Sequence, residues 1–166
     1  MFELKLMSRE GVEAALQKAE RYRLLNEAWQ AESICRDVLR IEPDNQRALT
    51  ALILALTDQF STEGAAPGEE ARELLHQLSS EYARCYYAGI ICERRGMAQL
   101  NRNLPGSGYI AWDWLRQAME WYEKAEVLRQ PGSEDALLRW NTCARVMDRH
   151  DHVRPGPEQD MPDQLE

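Results

Sequence analysis

The chain has 166 residues, 44% hydrophobic and 29% charged, which fits one ordinary domain with a buried core and excludes a wholly disordered chain. A net charge of −8 argues against a nucleic-acid binder, because phosphate contacts need clustered Lys and Arg. The longest apolar runs, such as Ala51 to Leu56, fall far short of the roughly 18 residues that cross a bilayer. The opening Met1-Phe2-Glu3-Leu4-Lys5-Leu6-Met7 has neither a cationic start nor a cleavage site, so no membrane association is expected and the cytoplasm is the expected location.

A first helix is predicted from Ser8 to Leu25, with Ala15, Ala19 and Tyr22 on its packed stripe, and Leu25-Asn26-Glu27 as a tight turn. The second runs from Ala28 to Ile41 and stops before Pro43, which cannot continue the hydrogen-bond ladder. Asp44 is the expected N-cap of a third helix carrying Leu49, Leu52, Ile53 and Leu56. Ser61 to Gly68 reads as a loop, and a fourth helix starts at Glu69-Glu70 and ends near Ser79-Ser80. The fifth spans Tyr82 to Asn101. After a loop over Asn103 to Gly108, a sixth covers Tyr109 to Arg129. Pro131-Gly132 breaks the pattern, Ser133 is the expected cap, and a seventh helix runs from Glu134 to Arg149. Residues 8–149 should form the helical domain. The segment 150–166, with Pro155, Gly156, Pro157, Pro162 and many acids, should be a disordered acidic tail. No strand pattern competes.

Cys35, Cys85, Cys92 and Cys143 all fall among apolar helical neighbours, and none forms a CxxC pair, so buried reduced thiols are expected. Cys85 and Cys92 share a helix face but lie two turns apart, too far for a disulfide or a shared zinc ion. Asp148, His150, Asp151 and His152 form a candidate metal cluster, but they sit at a helix end expected to be mobile, and no metal or cofactor is expected. No phosphate loop, GxSxG or HExxH is present, and no catalytic residue is assigned.

Three stretches repeat one stripe: Ala31, Cys35, Val38 before Pro43; Ala71, Leu75, Leu78 without a proline; and Ala118, Tyr122, Ala125 before Pro131. With Tyr22 and the run Asp37 to Asn45, these resemble tetratricopeptide repeats, helix pairs with a period of roughly 34 residues. The small residue lets two helices approach, the larger one fills the gap, and proline ends the pair. The spacings from Ala31 to Ala71 and from Ala71 to Ala118 exceed that period, which implies insertions at the Ser61 to Gly68 and Arg102 to Gly108 loops. The resemblance implies an all-α, right-handed α-α superhelix of about three hairpins plus a capping helix at the end. The whole chain also resembles small bacterial tetratricopeptide proteins without an assigned activity, in Arg21 to Asn26 and Leu138 to Cys143.

In that family a partner segment lies in the concave groove made by the first helix of each pair. Carried over, the inner positions are Glu13, Leu16, Glu20 and Arg23; Arg47, Thr50, Leu54 and Asp58; Cys85, Ala88, Cys92 and Arg95; and Leu138, Thr142 and Arg145. Glu20, Arg23, Arg47, Leu54, Arg95, Leu138 and Arg145 are the partner-binding candidates among them. Leu16 and Glu20 occupy two places where one subgroup carries a carboxylate clamp, so that clamp is not expected. Trp114 and Trp121 share a stripe with Ala118 and Ala125 and should pack in the core. Trp112 lies on another face and is the candidate for an outer contact. Arg94 falls where a core aromatic would fit, so either a structural salt bridge or, with Glu93, a ligand pocket is expected.

The resemblance implies a non-enzymatic protein–protein interaction module, a scaffold or adaptor whose partner is a protein or peptide. An exposed Trp112 or an uncovered end face leaves a homodimer open. The alternatives are a chaperone of secreted or membrane-associated proteins, and a small-ligand-binding helical domain using Glu93, Arg94 and Tyr86 or Tyr87.

Overall fold

A 3-10 turn at Arg9–Gly11 leads into α1 (Val12–Leu24), and six further helices follow: α2 (Ala28–Ile41), α3 (Gln46–Thr57), α4 (Pro67–Leu74), α5 (Glu81–Arg102), α6 (Ser107–Leu128) and α7 (Asp135–Arg149). The computed structural model describes residues 1–62 and 67–157, and among these the fold is all-α, with no strand. The expected loop over 63–66 and tail over 158–166 lie outside the described residues. No described helix is long and apolar enough to cross a membrane.

Local chemistry sets the helix ends. Asn45, not Asp44, caps α3, because its side chain reaches the Ala48 N–H at 2.9 Å, three residues on, where a cap must accept. Ser80 caps α5 in the same way through the Ala83 N–H. Ser133 does not cap α7; Glu134 stands at that position, with no side-chain bond. α4 begins at Pro67, two residues before the expected acidic start, since proline suits a first helical turn. It gives way to a 3-10 turn at Leu75–Gln77. Asn26 and Asn103 take the left-handed conformation that closes α1 and α5.

Consecutive helices pack on one another, and α1 also touches α3, which in turn touches α5. α5 and α6 pack along their length: Gly89 meets the Tyr122 ring, and Gly96 meets Leu115 and the Ala111 carbonyl. These pairs run in opposite sequence order, so the two helices are antiparallel. A side chain at either glycine would force them apart.

The repeated stripe lies inside the molecule except at Leu75, which is half-buried against the first core cluster. Ala31, Cys35, Val38, Ala71, Ala118, Tyr122 and Ala125 are all fully buried. One core cluster gathers Leu49, Leu52, Ile53 and Leu56 of α3 with Ala19, Ala31, Cys35, Ala71 and Leu78. A second joins Ile90, Leu115, Tyr122 and Cys143 across α5, α6 and α7, with Trp112, Trp114 and Trp121 partly buried against it. A small third cluster holds Val12, Leu16, Val38 and Ala48.

The packed part extends beyond Arg149. Val153 is buried in the second cluster, held by its N–H to the His150 carbonyl at 2.8 Å. The His152 carbonyl lies against Gly108, with no room for a Cβ there. One valine among charged residues and prolines carries no periodic signal, so composition alone reads this stretch as tail.

Candidate functional site

Three parallel helices build the most distinctive polar face. Arg47 on α3 bridges two acids of α1: Nη1 donates to Glu13 Oε1 at 2.8 Å and Nε to Glu20 Oε1 at 2.7 Å. Further along, Arg23 at the end of α1 donates from Nε to Asp58 Oδ2 at 2.8 Å, and Arg94 of α5 donates from Nη1 to Asp58 Oδ1 at 2.7 Å. Tyr87 of α5 sits beside Thr50 of α3. Partners rise together in sequence, from Glu13 and Glu20 to Arg23 and from Thr50 to Asp58, so α1, α3 and α5 point the same way. Three of the four ion pairs that join them link residues 34, 35 and 36 apart, and the fourth, Arg47–Glu20, links residues 27 apart. Arg36 and Glu70, 34 apart, tie α2 to α4 in the same fashion.

Several candidates therefore stand together. Glu20, Arg23 and Arg47 share this face with Asp58, and Leu54 of the same α3 stripe is half-buried against the second cluster. Arg95 does not join them. Its guanidinium lies over the Trp114 ring at 4.8 Å and the Phe60 ring at 5.7 Å, packed on Gly68. Its neighbour Arg94 takes the place instead. Cys85, Ala88 and Cys92 are buried, as is Leu16, so the carried-over register misplaces the inner face of α5. That helix packs on α3, α4 and α6, and apolar periodicity alone does not say which of its faces looks where. Leu138 and Arg145 are exposed on α7. Trp112 is partly exposed, its ring packed at the edge of the second cluster.

Glu93 and Arg94, adjacent in sequence, enter two different clusters. Glu93 is buried, and Tyr122 donates its hydroxyl to Oε2 at 2.5 Å while Arg139 Nη1 donates to Oε1 at 3.0 Å. Arg139 Nε also donates to the Tyr86 hydroxyl at 3.2 Å. This network joins α5, α6 and α7 and satisfies a carboxylate that would be costly to bury alone. Sequence reasoning missed Arg139 and Asp58 as partners. For Asp58 the signal available was opposite charge 35 and 36 residues away, in Arg23 and Arg94; Glu93 and Arg139, 46 apart, carry no such signal.

The electrostatics follow these contacts. The Arg47 guanidinium holds the Glu20 and Glu13 carboxyls below their ordinary value. Burial raises the Cys35 thiol to about 11 and the Cys143 thiol to about 12, so both stay protonated at neutral pH. Burial, and then the Glu93 carboxylate, push the Tyr122 phenol well up, which keeps it a hydrogen-bond donor. Among the described residues no three His, Cys, Asp or Glu side chains are grouped to hold a metal ion. What this face offers chemically is directional charge and hydrogen bonding. In comparisons with known proteins, the chain matches no family model, no curated protein and no solved structure.

Proposed function

We propose that the chain is a tetratricopeptide-like, non-enzymatic interaction module that holds a protein or peptide segment on the face made by α1, α3, α5 and α7. In this reading the helices form a short right-handed superhelix of three hairpins, with α7 capping the end. The observation that carries it is the ladder of ion pairs across parallel α1, α3 and α5, three of whose four pairs are 34 to 36 residues apart. That spacing matches a repeat of about 34 residues, in which the first helices of successive pairs lie side by side. A face lined by charged and half-buried apolar side chains suits a segment that is partly apolar and carries charge.

The test compares proteins co-purifying from the native cell with the unaltered chain, with Arg47→Glu, with Leu138→Asp, and with Val127→Asp on α6. Circular dichroism checks that each variant keeps its helices. Loss of a partner with Arg47→Glu or Leu138→Asp, and retention with Val127→Asp, supports the reading. Loss only with Val127→Asp moves the binding surface to α6 and sinks it.

A further inference from the structure

The Arg23–Asp58–Arg94 cluster differs from every other ion-pair cluster among the described residues. Arg47 is shared by two acids, and so is Arg36. Arg129 pairs with Glu134, and Arg139 with Glu93, one to one. Only at Asp58 do two guanidiniums share a single carboxylate. Within a chain of net charge −8 this is a local excess of positive charge. The three side chains are only 19–32% exposed, so their charges are less screened than on an open surface. They line a cleft of about 390 Å³ with Leu24, Asn26 and Ala28. Asp58 takes one donor from Arg94 and two from Arg23, which leaves most of the guanidinium N–H groups without an acceptor among the described residues. Such a cleft suits a carboxylate, which accepts from paired guanidinium donors.

The chain carries a matching group. The segment 158–166 has four acids, Glu158, Asp160, Asp163 and Glu166, and no Lys or Arg; Met161 and Leu165 stand among them. Its starting point is close to the cleft. Gly156 lies beside Tyr109, in the first turn of α6, and Ala111 of that helix touches Gly96 of α5. The segment therefore leaves near the C-terminal end of α5, the end towards which Arg94, and in the parallel helices Arg23 and Asp58, also lie. From there to Arg94 is one to two helical turns along α5, on the order of 10 Å, and about one helix diameter across, another 10 Å or so. Nine extended residues span up to roughly 30 Å. We propose that the acidic segment 158–166 docks in cis on the Arg23–Arg94 pair and fills this end of the partner-binding face. Tethering gives it an effective concentration of order millimolar, so a weak carboxylate–guanidinium contact suffices for substantial occupancy. The docking is independent of the proposed function. That it competes with a partner rests on that function.

The experiment records NMR spectra of residues 158–166 in the intact chain, in Arg94→Gln, and in a chain with Glu158→Gln, Asp160→Asn, Asp163→Asn and Glu166→Gln. Thermal melting checks that Arg94→Gln and the tail variant stay folded. In the intact chain at low salt, the 158–166 amides should show restricted motion that is lost in Arg94→Gln and at about 0.5 M salt. Adding a synthetic 158–166 peptide to the acid-free chain should shift resonances of Arg23, Asp58 and Arg94. Tail spectra identical in the intact chain and Arg94→Gln at both salt concentrations overturn the proposal. Shifts that grow with protein concentration also overturn it, by assigning the tail to a second copy. No partner enters this measurement, so its failure leaves the proposed function standing, and failed partner capture leaves the docking standing.

Discussion

Tyr82 and Tyr122 each bring a hydroxyl into the packing around α5, but only one has an acceptor. The Tyr122 hydroxyl donates to Glu93, whereas the Tyr82 hydroxyl is buried with no hydrogen-bond partner among the described residues, its ring stacked on Tyr86. The same chemical change should therefore have opposite signs at the two sites. Tyr122→Phe leaves a buried carboxylate with one fewer donor and should cost about 2 kcal/mol, as for a lost hydrogen bond to a charged group. Tyr82→Phe removes an unsatisfied hydroxyl and should be neutral or stabilising by about 1 kcal/mol. Urea unfolding of the two variants beside the parent measures both. A loss for Tyr82→Phe equal to that for Tyr122→Phe would mean that the Tyr82 hydroxyl has a partner in solution. The sequence places both tyrosines on helices, but it holds no sign that separates them, because the acceptor, Glu93, lies 29 residues from Tyr122.

At the scale of elements, ion pairs clip neighbouring helices together, and their pH dependence has a definite sign. Glu13, Glu20 and Glu70 titrate below their ordinary value near 4.5, because Arg47 holds the first two and Arg36 the third. A carboxyl depressed in the folded state contributes stability that is present above its unfolded value and lost as pH falls through the folded one. The melting temperature should be flat with respect to these groups above about pH 5 and should fall below pH 4.5. The exposed setting of Arg47 and Glu13 keeps the effect small and salt-sensitive. Arg47→Gln should flatten part of that acid limb while changing the neutral-pH melting temperature little. An unchanged acid limb would show that the α1–α3 clip contributes nothing. The positions of these elements were largely legible: the stripes at Ala31, Cys35, Val38 and at Ala118, Tyr122, Ala125 are wholly buried. What escaped was rotation. α5 is buried on several sides, so its apolar residues do not single out one inward face, and Arg95 was placed where Arg94 stands. The partners of Arg94 and Arg23 were legible in principle, as opposite charges 36 and 35 residues apart. Val153 was not, since a single buried residue has no period.

Taken whole, the molecule is held unevenly along its length, and this sets how it should come apart. α5 and α6, each of 22 residues, pack against each other along their length, and α7 adds the Glu93–Tyr122–Arg139 network to them. α4 has only 8 residues, and α1 lies at the opposite end of the chain, joined through α2 and α3. Such unevenness in packing becomes a hierarchy of local opening. Native-state hydrogen exchange should find the slowest amides between Gly89 and Gly96 and between Leu115 and Tyr122, with α4 and α1 opening at lower free energy. Gly89→Ala separates this picture from simple fraying. Its Cβ would press on the fully buried Tyr122 ring and should cost about 1–3 kcal/mol by overpacking. Because α5 also supports α3, that loss should appear in every slowly exchanging helix. Ala19→Gly, buried between α1 and its neighbours, should speed exchange in α1 and α2 and leave α5 and α6 nearly unchanged. If both substitutions accelerate all helices alike, the molecule opens as one cooperative unit, and the α5–α6 hairpin is not its most stable part.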